Sequence, residues 1–250
     1  MHRVLRHAAT VFLVGAAVAL TGCVGVTAAG REQEGAVRVY AAASLAAAFD
    51  RIAEEFAQAH PDVGVSVVSD GSTTLARQIA EGAPADVFAP ADDAALRLAG
   101  PALRGQVFAT NTLVLAVPAA NPAGITGLAD LPGATVVLCA PEVPCGAASA
   151  ELLRQAEVEV TPASVEQNVT AVLTKVAAGE ADAGLVYATD VRGNDDVRAI
   201  VPALAAEVVS HYPIAVLPDA GDPEAAAAFV GFVRSAQGRS ILADFGFGAP

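Results

Sequence analysis

Short Val-rich runs with alternating faces recur along this chain, and most are followed by an Ala-rich stretch whose large apolar residues fall at helical spacing. In 36–40, Val37 and Val39 share one face while Arg38 and Tyr40 share the other, the period of a strand. Next come Leu45, Phe49, Ile52 and Phe56, spaced four, three and four apart, a single stripe at the helical period. His60-Pro61 ends that helix. Further strands are expected at Val63–Val67, Asp86–Ala89, Thr112–Val117, Thr135–Cys139, Ala183–Tyr187 and Tyr212–Leu217. Helices are expected at Thr73–Glu81, Asp92–Leu98, Gly146–Ala156, around Val169–Val176, and after Asp222-Pro223, an N-cap followed by Pro at the first helical position. Strands alternating with helices specify an α/β fold with parallel sheet, whose ligands sit at the carboxyl ends of strands. The units are too many for one small sheet. Two α/β lobes joined by crossing strands fit, with TLVLAV (112–117) going out and YPIAVL (212–217) returning.

The chain's 250 residues are 54% hydrophobic, enough for two lobes with cores. Its start is of another kind. Arg3 and Arg6 precede an apolar run from Val11 to Leu20, and then comes Leu20-Thr21-Gly22-Cys23. Residues 1–22 read as a lipoprotein signal peptide, with Cys23 lipidated and 23–35 as a tether. A plain signal peptide or a membrane helix are the alternatives, but the run is short for a span of about 20 residues. The expected location is the cell membrane, lipid-anchored and facing outside the cytoplasm. Without residues 1–22 the basic count falls from 14 to 12 against 27 acids, a net charge near −15. Such a field argues against a nucleic-acid partner.

Cys139 and Cys145 are the other cysteines. Outside the cell a close pair can form a disulfide. A redox pair or a metal site are the other readings. Both are poorly supported, with no Cys-x-x-Cys and only His60 and His211 beyond the leader.

Ser44 and Ser72 each lie between a strand and a helix, and Cys145-Gly146 and Asn168-Val169 also precede helices. Ser44 read alone is a helix cap. Four helix starts converging on one cleft would make an anion site from backbone N–H groups, with no formal positive charge. The hydroxyls of Ser44, Ser72 and Tyr187 could donate to the same anion. A fully deprotonated tetrahedral oxyanion offers only acceptors, so every liner should be a donor. Arg77 reads as a solvated helix residue, and Asp86 and Asp190 as structural carboxylates.

The stretches AAASLAAAF (41–49), STTLARQIAEGAPADVFAPAD (72–92), PEVPCGAASAELL (141–153), QNVTAVLTKVAAGEADAGLVYATD (167–190) and YPIAVL (212–217) resemble the periplasmic molybdate-binding protein family over nearly the whole body. The resemblance implies a type II periplasmic binding protein fold with the ligand cleft between two lobes, here 36–116 with 218–250, and 117–217. It implies capture of molybdate or tungstate and delivery to an ABC-transporter permease, by a monomer that is not an enzyme. It implies an oxyanion held by the hydroxyls of Ser44, Ser72 and Tyr187 and the backbone N–H groups of Cys145 and Val169. No cofactor and no direct metal ligand are implied. Some members of the family have a small residue where this chain has Cys145. A binding protein for another solute, or a serine hydrolase using Ser44 or Ser72, are the competing readings. The hydrolase lacks a Gly-x-Ser-x-Gly turn and a base in a recognisable motif.

Overall fold

Strand β1 (Val37–Ala42) buries Val37, Val39 and Ala41 and runs into a 3-10 turn, Ala43–Leu45. In the computed structural model, which describes residues 36–250, helix α1 (Ala46–Ala59) follows directly. The Leu45, Phe49, Ile52 and Phe56 stripe is wholly buried. Phe49 and Phe56 meet Phe229 edge-on at 6.2 and 5.3 Å between ring centroids. Each such burial stabilises by roughly 1.5–3 kcal/mol. The leader, Cys23 and the tether lie outside the described residues.

The chain continues through β2 (Val65–Asp70), α2 (Ser72–Ala80), β3 (Val87–Ala89), α3 (Asp93–Ala99) and the long β4 (Gln106–Pro118). After it come β5 (Val136–Cys139), α4 (Pro144–Gln155), β6 (Ser164–Glu166), α5 (Val169–Ala177), β7 (Ala183–Tyr187) and β8 (Val197–Ile200). The last elements are β9 (Val209–Val216), α6 (Pro223–Val233) and α7 (Ala236–Asp244). Asp222 caps α6, accepting from the N–H groups of Glu224 and Ala225, with Pro223 at the first position.

Among the described residues the strands form one connected sheet in the order β2-β1-β3-β9-β4-β7-β5-β6, with β8 also on β4. It is not parallel throughout. β1 pairs in parallel with β2 and β3, and β5 with β6 and β7. Between these patches β4 and β9 run antiparallel to each other, β9 pairing with β3 and β4 with β7 and β8. β4 starts at Gln106, six residues before the stretch expected from its apolar run, because its first half, with mixed burial and no clean period, is held by ladder bonds to β9.

Among the described residues, two large cores and a smaller third cluster flank these strands. One large core gathers β1, α1, α6 and α7 with Phe108, Ala109, Tyr212 and Ile214. The other gathers α4, α5, β5 and β7 with β4 from Leu113 to Val117. The small cluster packs Leu75 and Ala76 of α2 and Ala95 and Leu96 of α3 against Phe88, Ala215 and Leu217. The carboxyl ends of both parallel patches point to the same region, the topological position at which α/β sheets bind ligands.

Candidate functional site

At that position lies a cavity of about 20 Å³. This exceeds the ~10–15 Å³ that one water needs and falls far below the ~300–1,000 Å³ of sites for drug-sized ligands. Ser44, Ser72, Cys145, Val169 and Tyr187 all line it, with Ala42, Ala43, Gly71, Ala91, Val143, Pro144, Gln167 and Asn168. This lining contains no Asp, Glu, Lys, Arg or His.

Each liner is placed by a strand end. Ser44 sits in the turn after β1 and caps no helix. Its Oγ instead lies 2.9 Å from the Tyr212 hydroxyl, a partner from β9. Ser72 is the first residue of α2, and its Oγ accepts the Ala91 N–H at 3.0 Å. With that lone pair occupied by a donor, the hydroxyl hydrogen is left for another acceptor. Cys145 is the second residue of α4, behind Pro144. The first N–H groups of a helix have no partner within it, so its N–H is free of the helix ladder. Val169 opens α5, whose cap is Asn168, accepting the Ala171 N–H at 2.9 Å.

Cys139 and Cys145 are joined by a disulfide, with Cα atoms 5.7 Å apart. The bridge ties the end of β5 to the start of α4. Gly146 follows, and a Cβ there would lie 1.8 Å from the Ala140 carbonyl oxygen. Only glycine lets the loop fold this tightly onto the helix start.

Tyr187, at the end of β7, is 1% exposed. Its hydroxyl accepts from Ser210 Oγ at 3.5 Å, and its ring meets Tyr212 edge-on at 5.9 Å. Burial pushes both phenols well above their ordinary range, so both remain protonated donors. Asp190 Oδ2 accepts the Tyr187 N–H at 2.9 Å, and desolvation pushes this carboxyl up to about 7. Asp86 accepts the N–H groups of Arg38 and Gly221 at 2.6 and 2.7 Å and is structural. Arg77 is exposed on α2 and lines no part of the cavity.

A neutral pocket edged by hydroxyls and helix starts can hold a small anion by hydrogen bonds alone. Sequence reasoning missed Tyr212, Asn168, Asp190 and the Ala91 N–H as partners of these groups. All four lie inside the stretches that carry the family resemblance, but nothing local signals whom they touch.

The sequence profile of the bacterial extracellular solute-binding protein family matches residues 37–248. The chain belongs to that family. A molybdate-binding protein of Mycobacterium tuberculosis is 44% identical over 219 residues, covering 85% of this chain and 84% of the relative. The molybdate-binding protein of Escherichia coli is 31% identical, covering 86% and 89%. The periplasmic molybdate-binding protein of Azotobacter vinelandii superposes with a TM-score of 0.71 at 19% identity, covering 86% of this chain and 99% of that one. At that identity the likeness speaks for the fold, the two-lobed α/β fold of periplasmic binding proteins. No helix of the described residues of this solute-binding protein is long and apolar enough to cross a membrane.

Proposed function

We propose that this solute-binding protein captures molybdate or tungstate outside the cytoplasm and delivers it to an ABC permease. The observation that carries the reading is the lining: donors from both parallel patches, with no carboxylate and no formal charge. A fully deprotonated tetrahedral oxyanion presents acceptors in every direction and suits such a lining. The names of the relatives from M. tuberculosis and E. coli support molybdate. The hydroxyls of Ser44, Ser72 and Tyr187 and the N–H groups of Cys145 and Val169 are the proposed donors. The metal is reached only through its oxygens, and no cofactor takes part.

Phosphate can carry a proton, which calls for an acceptor in its site. Sulfate is smaller and would leave some hydrogen bonds long. An organic acid would want an Arg at its carboxylate and more room than this cavity has. A hydrolase reading lacks a base, since no histidine lines the cavity. The change of core between Ala109 and Leu113 in β4, and between Val208 and Tyr212 around β9, supports a hinge between two lobes that close on the ligand. A monomer anchored through a lipid on Cys23 completes the proposal.

Isothermal titration of the purified protein with molybdate, tungstate, sulfate and phosphate tests it. Tight one-to-one binding of the two metal oxyanions, with the other two weak or silent, is expected. Silence of folded, ligand-free protein toward both metal oxyanions would refute it.

A further inference from the structure

Two turns press together beside the cavity. Asp70-Gly71 ends β2 ahead of α2, and Gln167-Asn168 ends β6 ahead of α5. Asn168 Nδ2 donates to Asp70 Oδ1 at 3.0 Å, and the Gly71 N–H donates to the same oxygen at 2.6 Å. The other end of the Asn168 amide, Oδ1, accepts the Ala171 N–H. The amide is therefore used at both ends, its oxygen capping α5 and its nitrogen reaching the other core's turn. The orientation is fixed by its neighbours: reversing it would set the amide NH₂ against an N–H and its oxygen against a carboxylate. A Cβ on Gly71 would stand 2.5 Å from the Gln167 carbonyl oxygen, so the two turns approach too closely for a side chain between them. Thr73 Oγ1 adds a bond to the Glu142 carbonyl at 3.2 Å.

We infer that Asn168 is a positioning residue that latches the two halves, through Asp70, at the spacing at which Ser72 and Val169 hold one anion. The inference rests on the proposed function. Ser72 lies two residues from Asp70, and Val169 adjoins Asn168, so the latch lies close in the chain to a donor on each side. The affinity of a closing protein scales with the fraction of closed form, and the latch raises that fraction. Asn suits this position better than Asp, which caps a helix equally well but would set a second carboxylate against Asp70. The other charged groups on this side are Lys175 and Glu180, and Lys175 is paired with Glu166 at 2.5 Å.

Asn168→Ser and Asn168→Asp separate latch from cap, because Ser and Asp both cap helices. Molybdate affinity and dissociation rate would be measured from about pH 5.5 to about pH 8, relative to the wild type at each pH, with melting of the ligand-free proteins alongside. For Asn168→Ser the Kd should rise at least about tenfold, mostly through faster dissociation, as expected for losing a hydrogen bond to a charged group. For Asn168→Asp the loss should be greatest near pH 8 and shrink toward pH 5.5, where two facing carboxylates share a proton. Ligand-free melting should stay close to wild type in both. Affinities within about twofold of wild type would overturn the latch alone, as would an affinity loss in Asn168→Asp that tracks a fall in melting temperature and ignores pH. A wild type that binds neither molybdate nor tungstate would overturn the function proposed above and the latch with it.

Discussion

Ser72→Ala separates two roles of one hydroxyl. The Ser72 Oγ accepts the buried Ala91 N–H at 3.0 Å, and in the proposed complex its hydrogen points to the anion. Losing the acceptor leaves a buried N–H without its partner, which costs about 1–3 kcal/mol. That cost falls on the folded protein with or without ligand, so it enters stability and cancels from affinity. At the 2–4 °C per kcal/mol typical of domains this size, the ligand-free melting temperature should drop by about 2–12 °C. Losing the donor removes one hydrogen bond to a charged ligand, worth about 1.5–3 kcal/mol, so the Kd for molybdate should rise about 10- to 150-fold. Calorimetric titration and ligand-free thermal unfolding on the same preparation read the two effects apart. A lower melting temperature with an unchanged Kd would show that Ser72 only supports the Ala91 turn, and the donor assignment would fall. An unchanged melting temperature would contradict the Ala91 bond itself.

Two other perturbations probe the surroundings of the cavity. The disulfide closes a short loop, six residues apart in sequence, and chain entropy gives it about 2 kcal/mol. Reduction, or the double change Cys139→Ser with Cys145→Ser, should lower the melting temperature by about 4–8 °C and weaken molybdate binding by loosening the Cys145 N–H; no change in either reading would show that the bridge preorganises nothing. Asp190 titrates near 7 when folded against 3.8 for a free side chain, because of desolvation. The folded state therefore holds this proton more tightly than the unfolded state, so the contribution of Asp190 to stability is full below about pH 4 and is lost as pH rises toward about 7. Asp92, also raised by burial, acts in the same sense, whereas Glu166, held down by Lys175, favours the folded state only above the usual carboxylate range. Asp190→Asn should flatten most of this decline in chemical unfolding between about pH 5 and about pH 8, and an unaltered slope would remove Asp190 as its source.

What the sequence determined by itself was everything held by near neighbours in the chain. The α1 stripe, the Asp222-Pro223 start of α6, the break at Gly179 and the buried strand at Ala183–Tyr187 all follow from periodicity, caps and breakers. Such signals act within one or two turns, and at these elements the tertiary contacts agree with them. The five proposed donors were legible as hydroxyls or helix starts after strands, helped by the resemblance in their motifs.

Tertiary structure decided what depends on partners far along the chain. The first half of β4, the short β6 and β8, and α7 escaped the sequence reading. Their residues lack a clean period, and pairing or packing holds them. The sheet's mixed direction arises from β4 and β9 meeting antiparallel between two parallel patches, a choice no local pattern encodes. Ser44 looked like a helix cap because capping is what a lone serine does at a helix start. The fold instead sets Tyr212, 168 residues away, against its hydroxyl. The Ser72–Ala91, Asp70–Asn168 and Asp190–Tyr187 bonds likewise orient the groups around the cavity. A hydrogen bond is made by geometry at about 3 Å, and only the folded chain brings those atoms within that reach.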